Sequence, residues 1–323
     1  MSDLKLANII GKDLKTEPIR TGFGRGLVLA GKANKDVVAA CADLTTSTQM
    51  HLFKAEFPER FVEIGIAEQN LVTVASGMAA MGKIPFVSSY AAFSPGRNWE
   101  QIRTTICLND RPVNVVGSHA GISVGPDGAT HQMLEDIAIM RVLPNMVVIV
   151  PGDSLEAERA TQALAEDSRP SYLRLAREAT PIITTADTPF EIGRAYIYHP
   201  GTDITIISTG TMTYQALVAA EKLKKDGISA EVVHVPTIKP LDTTTILASA
   251  KKTKHVITIE EAQIIGGLGG AVAELLGEYQ PTRIVRLGMK DHFGESGKPD
   301  ELLEHFGLTA KQIILHATHM VSE

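Results

Sequence analysis

The chain has 323 residues, of which 44% are hydrophobic and 21% are charged, and this composition is typical of a globular protein. Its net charge of −6 and its pI near 6.0 come without the basic tract that nucleic-acid-binding proteins carry. The sequence shows no apolar run of transmembrane length and no signal-peptide core at its start, so we expect a cytoplasmic protein that binds neither membrane nor nucleic acid.

The first half of the chain alternates short apolar runs with helical patterns. The apolar runs are continuous, which is typical of parallel strands covered by helices on both faces. The predicted strands are 36–41, 60–64, 84–89, 113–117, 146–150 and 171–175. The predicted helices between them are 20–32, 67–82, 98–109, 132–141 and 153–166. This alternation predicts an α/β fold with a doubly wound parallel sheet.

A second, smaller α/β unit is predicted after a segment rich in Thr and Pro at 178–190, which we interpret as a linker. Its predicted strands are 203–208, 230–235, 255–260 and 283–287, and its predicted helices are 211–226, 242–251, 267–278 and 298–306. A chain of this length commonly forms two domains, and we expect them at 1–185 and 186–323.

The segment FVEIGIAEQN places Glu68 in the first turn of an apolar helix, after a short strand and a glycine turn. A carboxyl group near Ile66, Leu71 and Val72 is costly to bury unless a polar group meets it. Such a buried carboxyl can stay protonated and donate a hydrogen bond to a ligand nitrogen. The alternative is a surface glutamate that complements the dipole of its helix.

A glycine-rich loop, SHAGISVGPDGATHQ, follows the predicted strand 113–117. It therefore lies at a carboxyl end, where open α/β sheets bind ligands. Its His119, Asp127 and His131 are not compactly spaced as metal ligands, and we predict no metal site in this chain. They suit recognition of a hydroxylated substrate and proton transfer near neutral pH. An ordinary surface loop is the alternative.

Two aromatic residues, Tyr90 and Phe93, follow the predicted strand 84–89. Such rings could stack on a flat heteroaromatic ligand. Packing in the core is the alternative interpretation.

Further polar residues lie near predicted strand and helix ends. Asp43 and Ser47 follow the first strand, Arg20 begins the first helix, and Arg177 follows the strand 171–175. An arginine just past a strand end can bind a phosphate through two hydrogen bonds, whereas a surface ion pair is the alternative.

Other conspicuous residues are interpreted as structural. We expect Cys41 and Cys107 to be reduced core residues, and Asp153 to cap a helix. The glycine cluster 266–270 looks like a phosphate-binding loop, but the acidic pair Glu260 and Glu261 precedes it. We therefore predict that these glycines serve close helix packing.

Four segments, ADLTTST, GIAEQN, GISVGPDGATHQ and HFGESGKPDELLEHFGL, resemble the pyrimidine-binding and C-terminal domains of transketolase. The resemblance spans nearly the whole chain. It implies a thiamine diphosphate enzyme that transfers a two-carbon ketol unit from a ketose phosphate to an aldose phosphate. By this resemblance Glu68 matches the glutamate that hydrogen-bonds N1′ of the aminopyrimidine, and Phe93 matches the aromatic residue that stacks on that ring. Tyr90 lies beside it, and Asp43 matches a residue near the thiazolium.

The resemblance also assigns the substrate contacts. His119, Asp127 and His131 match residues that contact the hydroxyls and carbonyl of the sugar. The acceptor phosphate-binding set is matched by Arg20, Ser47 and Arg177.

The sequence departs from full-length transketolase in lacking the diphosphate-binding domain, with its Gly-Asp-Gly motif and downstream Asn. We therefore expect a separate N-terminal subunit that binds the diphosphate and Mg²⁺ or Ca²⁺, in an α₂β₂ assembly. Three alternatives stay open. They are the β subunit of a 2-oxoacid dehydrogenase E1 component, a subunit similar to 1-deoxyxylulose-5-phosphate synthase, and a non-catalytic binding or scaffold protein.

Overall fold

The computed structural model describes residues 4–9 and 14–323, which form three β-sheets flanked by helices. In chain order the strands are β1 (Thr16–Pro18), β2 (Val37–Cys41), β3 (Phe61–Glu63), β4 (Ile84–Tyr90), β5 (Asn114–Ser118), β6 (Val147–Ile149), β7 (Ser171–Arg174), β8 (Ala179–Pro181), β9 (Tyr196–His199), β10 (Ile204–Ser208), β11 (Ala230–His234), β12 (Thr237–Lys239), β13 (His255–Gln263) and β14 (Arg283–Met289).

The helices are α1 (Ile19–Ala33), α2 (His51–Glu56), α3 (Glu68–Ala80), α4 (Trp99–Gln101), α5 (Asp136–Arg141), α6 (Ser154–Glu166), α7 (Met212–Lys225), α8 (Thr243–Thr253), α9 (Leu268–Tyr279), α10 (Pro299–His305) and α11 (Ala310–Ser322). A π-helical segment, Ile102–Cys107, continues α4, and short 3₁₀ helices span Pro58–Arg60 and Ile122–Asp127.

The largest sheet has seven strands in the order β12-β6-β7-β5-β4-β2-β3, and every pairing except β12 with β6 is parallel. The second sheet has five strands in the order β14-β13-β10-β11-β9, and only β9 is antiparallel to its neighbour. The predicted α/β class with parallel sheets is confirmed. In both sheets the buried central strands are the continuous apolar runs of the sequence, because helices cover both faces.

The first helix packs closely on α6, and glycine makes this approach possible. A Cβ atom at Gly22 would lie 1.7 Å from the backbone oxygen of Ser154, and one at Gly26 would lie 2.6 Å from that of Glu158. This packing fixes the start of α1, which carries Arg20, against the carboxyl side of the first sheet.

Several predicted elements differ from those observed. The predicted linker 178–190 contains β8, which pairs with β1, and β12 joins the first sheet although it follows β11 of the second. The predicted helix 132–141 begins only at Asp136, because Met133 forms a parallel bridge with Ala120, just after β5. The C-terminal helix α11 was not predicted. Three-residue strands carry too little periodicity for detection, and their partners are distant in sequence.

The predictions for the two cysteines and for Asp153 are confirmed. Both cysteines are buried and free. Asp153 caps α6 by accepting a hydrogen bond from the backbone N–H of Glu156 at 2.8 Å. At the glycine cluster the Glu260 carboxylate accepts hydrogen bonds from the N–H groups of Leu268 and Gly269, both at 2.7 Å. An acid of the chain itself therefore lies where a phosphate would bind.

Buried polar contacts join the two halves of the chain. Glu156 Oε2 on α6 lies 2.8 Å from His234 Nε2 on β11, and both side chains are fully buried. Arg174 on β7 donates a 2.8 Å hydrogen bond to the backbone oxygen of Glu261 on β13. Among residues 4–9 and 14–323, none of the helices has both the length and the hydropathy of a membrane-spanning segment.

Candidate active site

The candidate site lies at the carboxyl ends of β4, β5 and β7, beside the first turns of α1 and α3. Parallel strands present these ends on one edge of the sheet, so residues distant in sequence meet there.

Glu68 begins α3 and is only 5% exposed, so the interpretation as a surface glutamate is wrong. The polar group that meets its carboxylate is Arg97, whose Nη1 lies 3.3 Å from both Oε1 and Oε2. Asn98 donates a 2.8 Å hydrogen bond to the backbone oxygen of Glu68 and a 3.0 Å hydrogen bond to Ser94 Oγ. These bonds fasten the turn after β4 to the start of α3 and so place Arg97 over Glu68.

Arg97 also contacts the aromatic residue of the predicted site. Its guanidinium carbon lies 4.4 Å from the ring centroid of Phe93, within the range of a cation–π contact. A single planar cation thus contacts both the carboxylate and the ring that were predicted to face a flat heteroaromatic ligand. Arg97 was not predicted as a site residue. Its place four residues after Phe93 puts it near that ring, but no local pattern indicates its ion pair with Glu68.

An aromatic cluster continues from Phe93 into the glycine-rich loop. The Tyr90 ring stacks on His119 with 3.9 Å between centroids, and it lies 6.0 Å from the Phe93 ring. The ring of His131 meets Phe93 edge-on at 5.4 Å and Tyr90 at 6.3 Å. The structure therefore brings together both predicted aromatic residues and both predicted histidines.

His119 is a neutral imidazole with a defined tautomer. Burial, then the charges of Arg20, Arg177 and His131, lower its pKa to about 3. Arg20 Nη1 lies 3.2 Å from Nε2, and because arginine can only donate, Nε2 is the acceptor. Nδ1 then carries the hydrogen, which it donates to Ser118 Oγ at 2.8 Å. This side chain suits fixed hydrogen bonding, and the expectation that it exchanges protons near neutral pH is wrong for His119.

Two arginines place positive charge beside His119. Burial, followed by the nearby charge of Arg177, lowers the pKa of Arg20, and Arg20 Nε is buried without a hydrogen-bond partner among the described residues. Arg177 donates a 2.8 Å hydrogen bond to the backbone oxygen of Val124, and its Nη1 lies 4.0 Å from Asp127 Oδ2. Two cations held close together at a strand end are suited to binding an anion.

The remaining predicted residues lie on the turn that follows β2. Asp43 is exposed, has a φ of +57°, and donates its backbone N–H to Glu63 Oε1 at 2.8 Å. Ser47 is half-buried on the same turn, and no side-chain hydrogen bond among the described residues joins it to Arg20 or Arg177. A positive φ at a non-glycine residue is a strained conformation that is frequent at functional sites. The predicted roles of both residues stay predictions.

No group of three or more His, Cys, Asp or Glu side chains in the described part of the chain is arranged to hold a metal ion.

The fold and the site define the class of protein: an α/β domain in which a buried glutamate and an aromatic ring contact the same arginine, followed by a second α/β domain. Residues 16–182 match the family model "Transketolase, pyrimidine binding domain", and residues 193–313 match "Transketolase, C-terminal domain". The chain belongs to the transketolase family, and it corresponds to the C-terminal section of that family. The resemblance drawn from the sequence is confirmed.

Two relatives match over nearly their whole length. The chain is 47% identical over 299 residues to the "Putative transketolase C-terminal section" of Methanocaldococcus jannaschii, covering 91% of this chain and 93% of the relative. It is 44% identical over 294 residues to the "6-deoxy-6-sulfo-D-fructose transketolase subunit SqwH" of a Clostridium species, covering 90% and 91%.

Solved structures give the same result. The structure titled "Split gene transketolase, inactive beta4 tetramer" matches with a TM-score of 0.89 and 43% identity, covering 94% of this chain and 98% of that one. The transketolase of Campylobacter jejuni matches with a TM-score of 0.80 and 24% identity, covering 99% of this chain and 48% of that one. The second likeness shows the fold alone.

Proposed function

We propose that this chain takes part in thiamine-diphosphate-dependent transfer of a two-carbon ketol unit from a ketose phosphate to an aldose phosphate. The observation that carries the proposal is that one planar cation, Arg97, contacts both the buried Glu68 carboxylate and the face of the Phe93 ring. Ring contacts continue from Phe93 through Tyr90 to the neutral His119, which lies beside the cation of Arg20. One continuous site thus offers a place for a flat ring and a place for an anion.

The residues present fit the aminopyrimidine half of thiamine diphosphate. Glu68 would hydrogen-bond a ring nitrogen, and Phe93 would stack on the ring, since Arg97 already makes the equivalent contacts as a planar cation. Asp43 would lie near the thiazolium. When bound, thiamine diphosphate supplies the electron sink that allows the carbon–carbon bond to break.

The diphosphate half has no equivalent set of ligands among the described residues, which include no metal-binding group. We propose that a separate N-terminal transketolase subunit binds the diphosphate and Mg²⁺ or Ca²⁺, in an α₂β₂ assembly. The relative named as a transketolase C-terminal section and the solved structure titled as a split-gene transketolase support the division of the enzyme between two chains.

The side chains of this chain would bind and orient the sugar. His119, held neutral between Arg20 and Ser118, offers hydrogen bonds of fixed direction. Asp127 and His131 would orient the hydroxyls and the carbonyl of the donor. Arg20, Ser47 and Arg177 would bind the phosphate, with the buried Nε of Arg20 available as a further donor. No proton transfer is assigned to His119, because its pKa of about 3 leaves it uncharged at neutral pH.

A second candidate substrate is a sulfonated sugar. A relative that is 44% identical is named for 6-deoxy-6-sulfo-D-fructose. A sulfonate is a tetrahedral anion with one charge fewer than a fully ionised phosphate, and two arginines would bind either group. Arg20 and Arg177 therefore support an anionic sugar as the substrate. An experiment has to decide between a phosphate and a sulfonate.

The test is reconstitution with a diphosphate-binding partner chain, thiamine diphosphate and Mg²⁺. We expect ketol transfer from xylulose 5-phosphate or from 6-deoxy-6-sulfo-D-fructose only when both chains are present. Arg20→Met should raise the KM of the anionic sugar about 10- to 100-fold, the loss expected for a charge-assisted hydrogen bond. Full activity of this chain alone, or 2-oxoacid decarboxylation in place of ketol transfer, would refute the proposal.

A further inference from the structure

The glycine-rich loop of the candidate site is held by the C-terminal domain. We define the site loop as residues 121–132, which include Asp127 and His131 and end at Gln132. The two ends of the loop are tied together by a 2.9 Å hydrogen bond from the N–H of Gly121 to the backbone oxygen of Met133. Within the loop the N–H of Gly128 donates to the backbone oxygen of Gly125 at 3.1 Å and the N–H of His131 donates to that of Gly128 at 3.0 Å. Contacts from the C-terminal domain add to these internal bonds.

The first outside contact is made by Glu261, which lies on β13 and is 3% exposed. Its Oε1 accepts a 2.6 Å hydrogen bond from the backbone N–H of Ser123, and its Oε2 accepts a 2.8 Å hydrogen bond from the hydroxyl of Thr211. Gly121 has a φ of +95°, and a Cβ atom there would lie 2.4 Å from Glu261 Oε1. The carboxylate therefore fills the concave side of the turn that begins the loop.

The second contact comes from the segment 294–299, which precedes and begins α10. The Gln132 side-chain amide donates to the backbone oxygen of Glu295 at 2.9 Å, and to those of Ile122 and Gly125 at 3.2 and 3.1 Å. A Cβ atom at Gly128 would lie 2.6 Å from Ser296 Oγ. The C-terminal domain thus covers the loop along its length, while Arg177 contacts Val124 from the first domain.

We propose that Glu261 is a positioning residue for the candidate site and that the C-terminal domain, through it, sets where Asp127 and His131 lie. Among the described residues, no side-chain hydrogen bond or ion pair joins Glu261 to Arg20 or Arg177. Glu261 therefore acts through the site loop. The N–H of Ser123 is buried with this carboxylate as its acceptor, and loss of a charge-assisted bond at such a place leaves the donor unpaired. The role given to the loop in substrate binding rests on the proposed function. The anchoring of the loop by Glu261 does not depend on it.

The side chain of Glu261 can be changed without breaking the link between the domains. Arg174 donates to the backbone oxygen of Glu261, and that oxygen is present in every variant. In Glu261→Gln the amide oxygen can accept from Ser123 while the amide nitrogen donates to the hydroxyl of Thr211, which accepts as readily as it donates. Glu261→Ala removes both bonds, and Glu261→Asp withdraws the carboxylate by one methylene.

Hydrogen–deuterium exchange of the intact chain tests the anchoring. Glu261→Ala and Glu261→Asp should speed amide exchange in 121–132 by about 10- to 100-fold, and Glu261→Gln should restore exchange close to that of the wild type. The control is Asp242→Ala, which removes another buried carboxylate of the same domain that accepts bonds from Ala195 and Thr245, away from the loop. This control should leave exchange in 121–132 unchanged.

The assembled enzyme, saturated with thiamine diphosphate, tests the positioning. Glu261→Asp should raise the KM for the sugar donor more than it lowers kcat, and Glu261→Gln should rescue KM. Unchanged exchange in the site loop, or faster exchange with an unchanged KM, would overturn the inference. If Glu261→Ala does not fold, Glu261→Asp and Glu261→Gln still decide the matter. Absence of ketol transfer in the wild type would refute the proposed function. The exchange experiment would still decide whether Glu261 anchors the site loop.

Discussion

Replacing Glu68 by Gln separates a functional role from a structural one. The change keeps the shape of the side chain and replaces its ionisable carboxyl group by a neutral amide. Its ion-pair partner Arg97 is 53% exposed, so this pair contributes only about 0.2–1 kcal/mol to stability. An amide is also less costly to bury than a carboxylate. We therefore expect Glu68→Gln to change the free energy of unfolding by less than about 1 kcal/mol.

The expected loss of activity is much larger. A positioned acid–base group contributes about 10²- to 10⁴-fold to a rate, which corresponds to about 2.7–5.4 kcal/mol in the activation barrier. The assay is ketol transfer by the assembled enzyme at saturating thiamine diphosphate, so that weaker cofactor binding does not enter the rate. Urea unfolding of the isolated chain gives the stability.

The matched control is Glu100→Gln, the same change at an exposed first-turn glutamate on α4, which should leave the rate unchanged. A Glu68→Gln enzyme that kept the wild-type rate would refute the cofactor role of Glu68. A variant that lost several kcal/mol of stability would show that the charge of Glu68 is mainly structural.

Two further predictions concern buried charge. Asp136 accepts hydrogen bonds from Tyr172 at 2.7 Å and from Arg174 at 2.8 Å. Asp136→Asn removes the carboxylate partner of this buried guanidinium and should lower the free energy of unfolding in urea by about 3–5 kcal/mol. A loss below about 1 kcal/mol would contradict this. The pKa of His119 is about 3 in the folded chain and 6.5 in the unfolded chain, so between these pH values the unfolded chain binds one more proton. The free energy of unfolding should therefore rise with pH across this window, by up to about 1.4 kcal/mol per pH unit. His119→Gln should flatten that slope. An imidazole NMR signal of His119 that titrates above pH 5 would contradict the lowered pKa of this residue.

Much of the first sheet could be predicted from sequence, because its strands are covered on both faces and appear as continuous apolar runs. The positions of the strand ends then placed Glu68, Tyr90, Phe93 and His119 near one edge. Short edge strands such as β12 could not be predicted in this way. Their three residues have no detectable period, and their pairing depends on partners far away in the chain.

The partners of the site residues were equally hidden. Arg97 lies 29 residues from Glu68, Arg20 lies 99 residues from His119, and Glu261 lies 138 residues from Ser123. No local pattern reports such pairs, since they form only when separate strand ends come together. For the same reason the neutral state of His119 was missed, because burial and two distant arginines lower its pKa.

The sequence by itself determined the family, the α/β class and the residues that line one edge of the first sheet. These follow from local periodicity and from short segments whose chemistry is visible in the residues themselves. Only the tertiary structure decided that Glu68 is buried against Arg97, that His119 is uncharged, and that the C-terminal domain holds the site loop. Burial, charge and hydrogen bonding at a site depend on which distant groups lie within a few ångströms, and folding alone sets those distances.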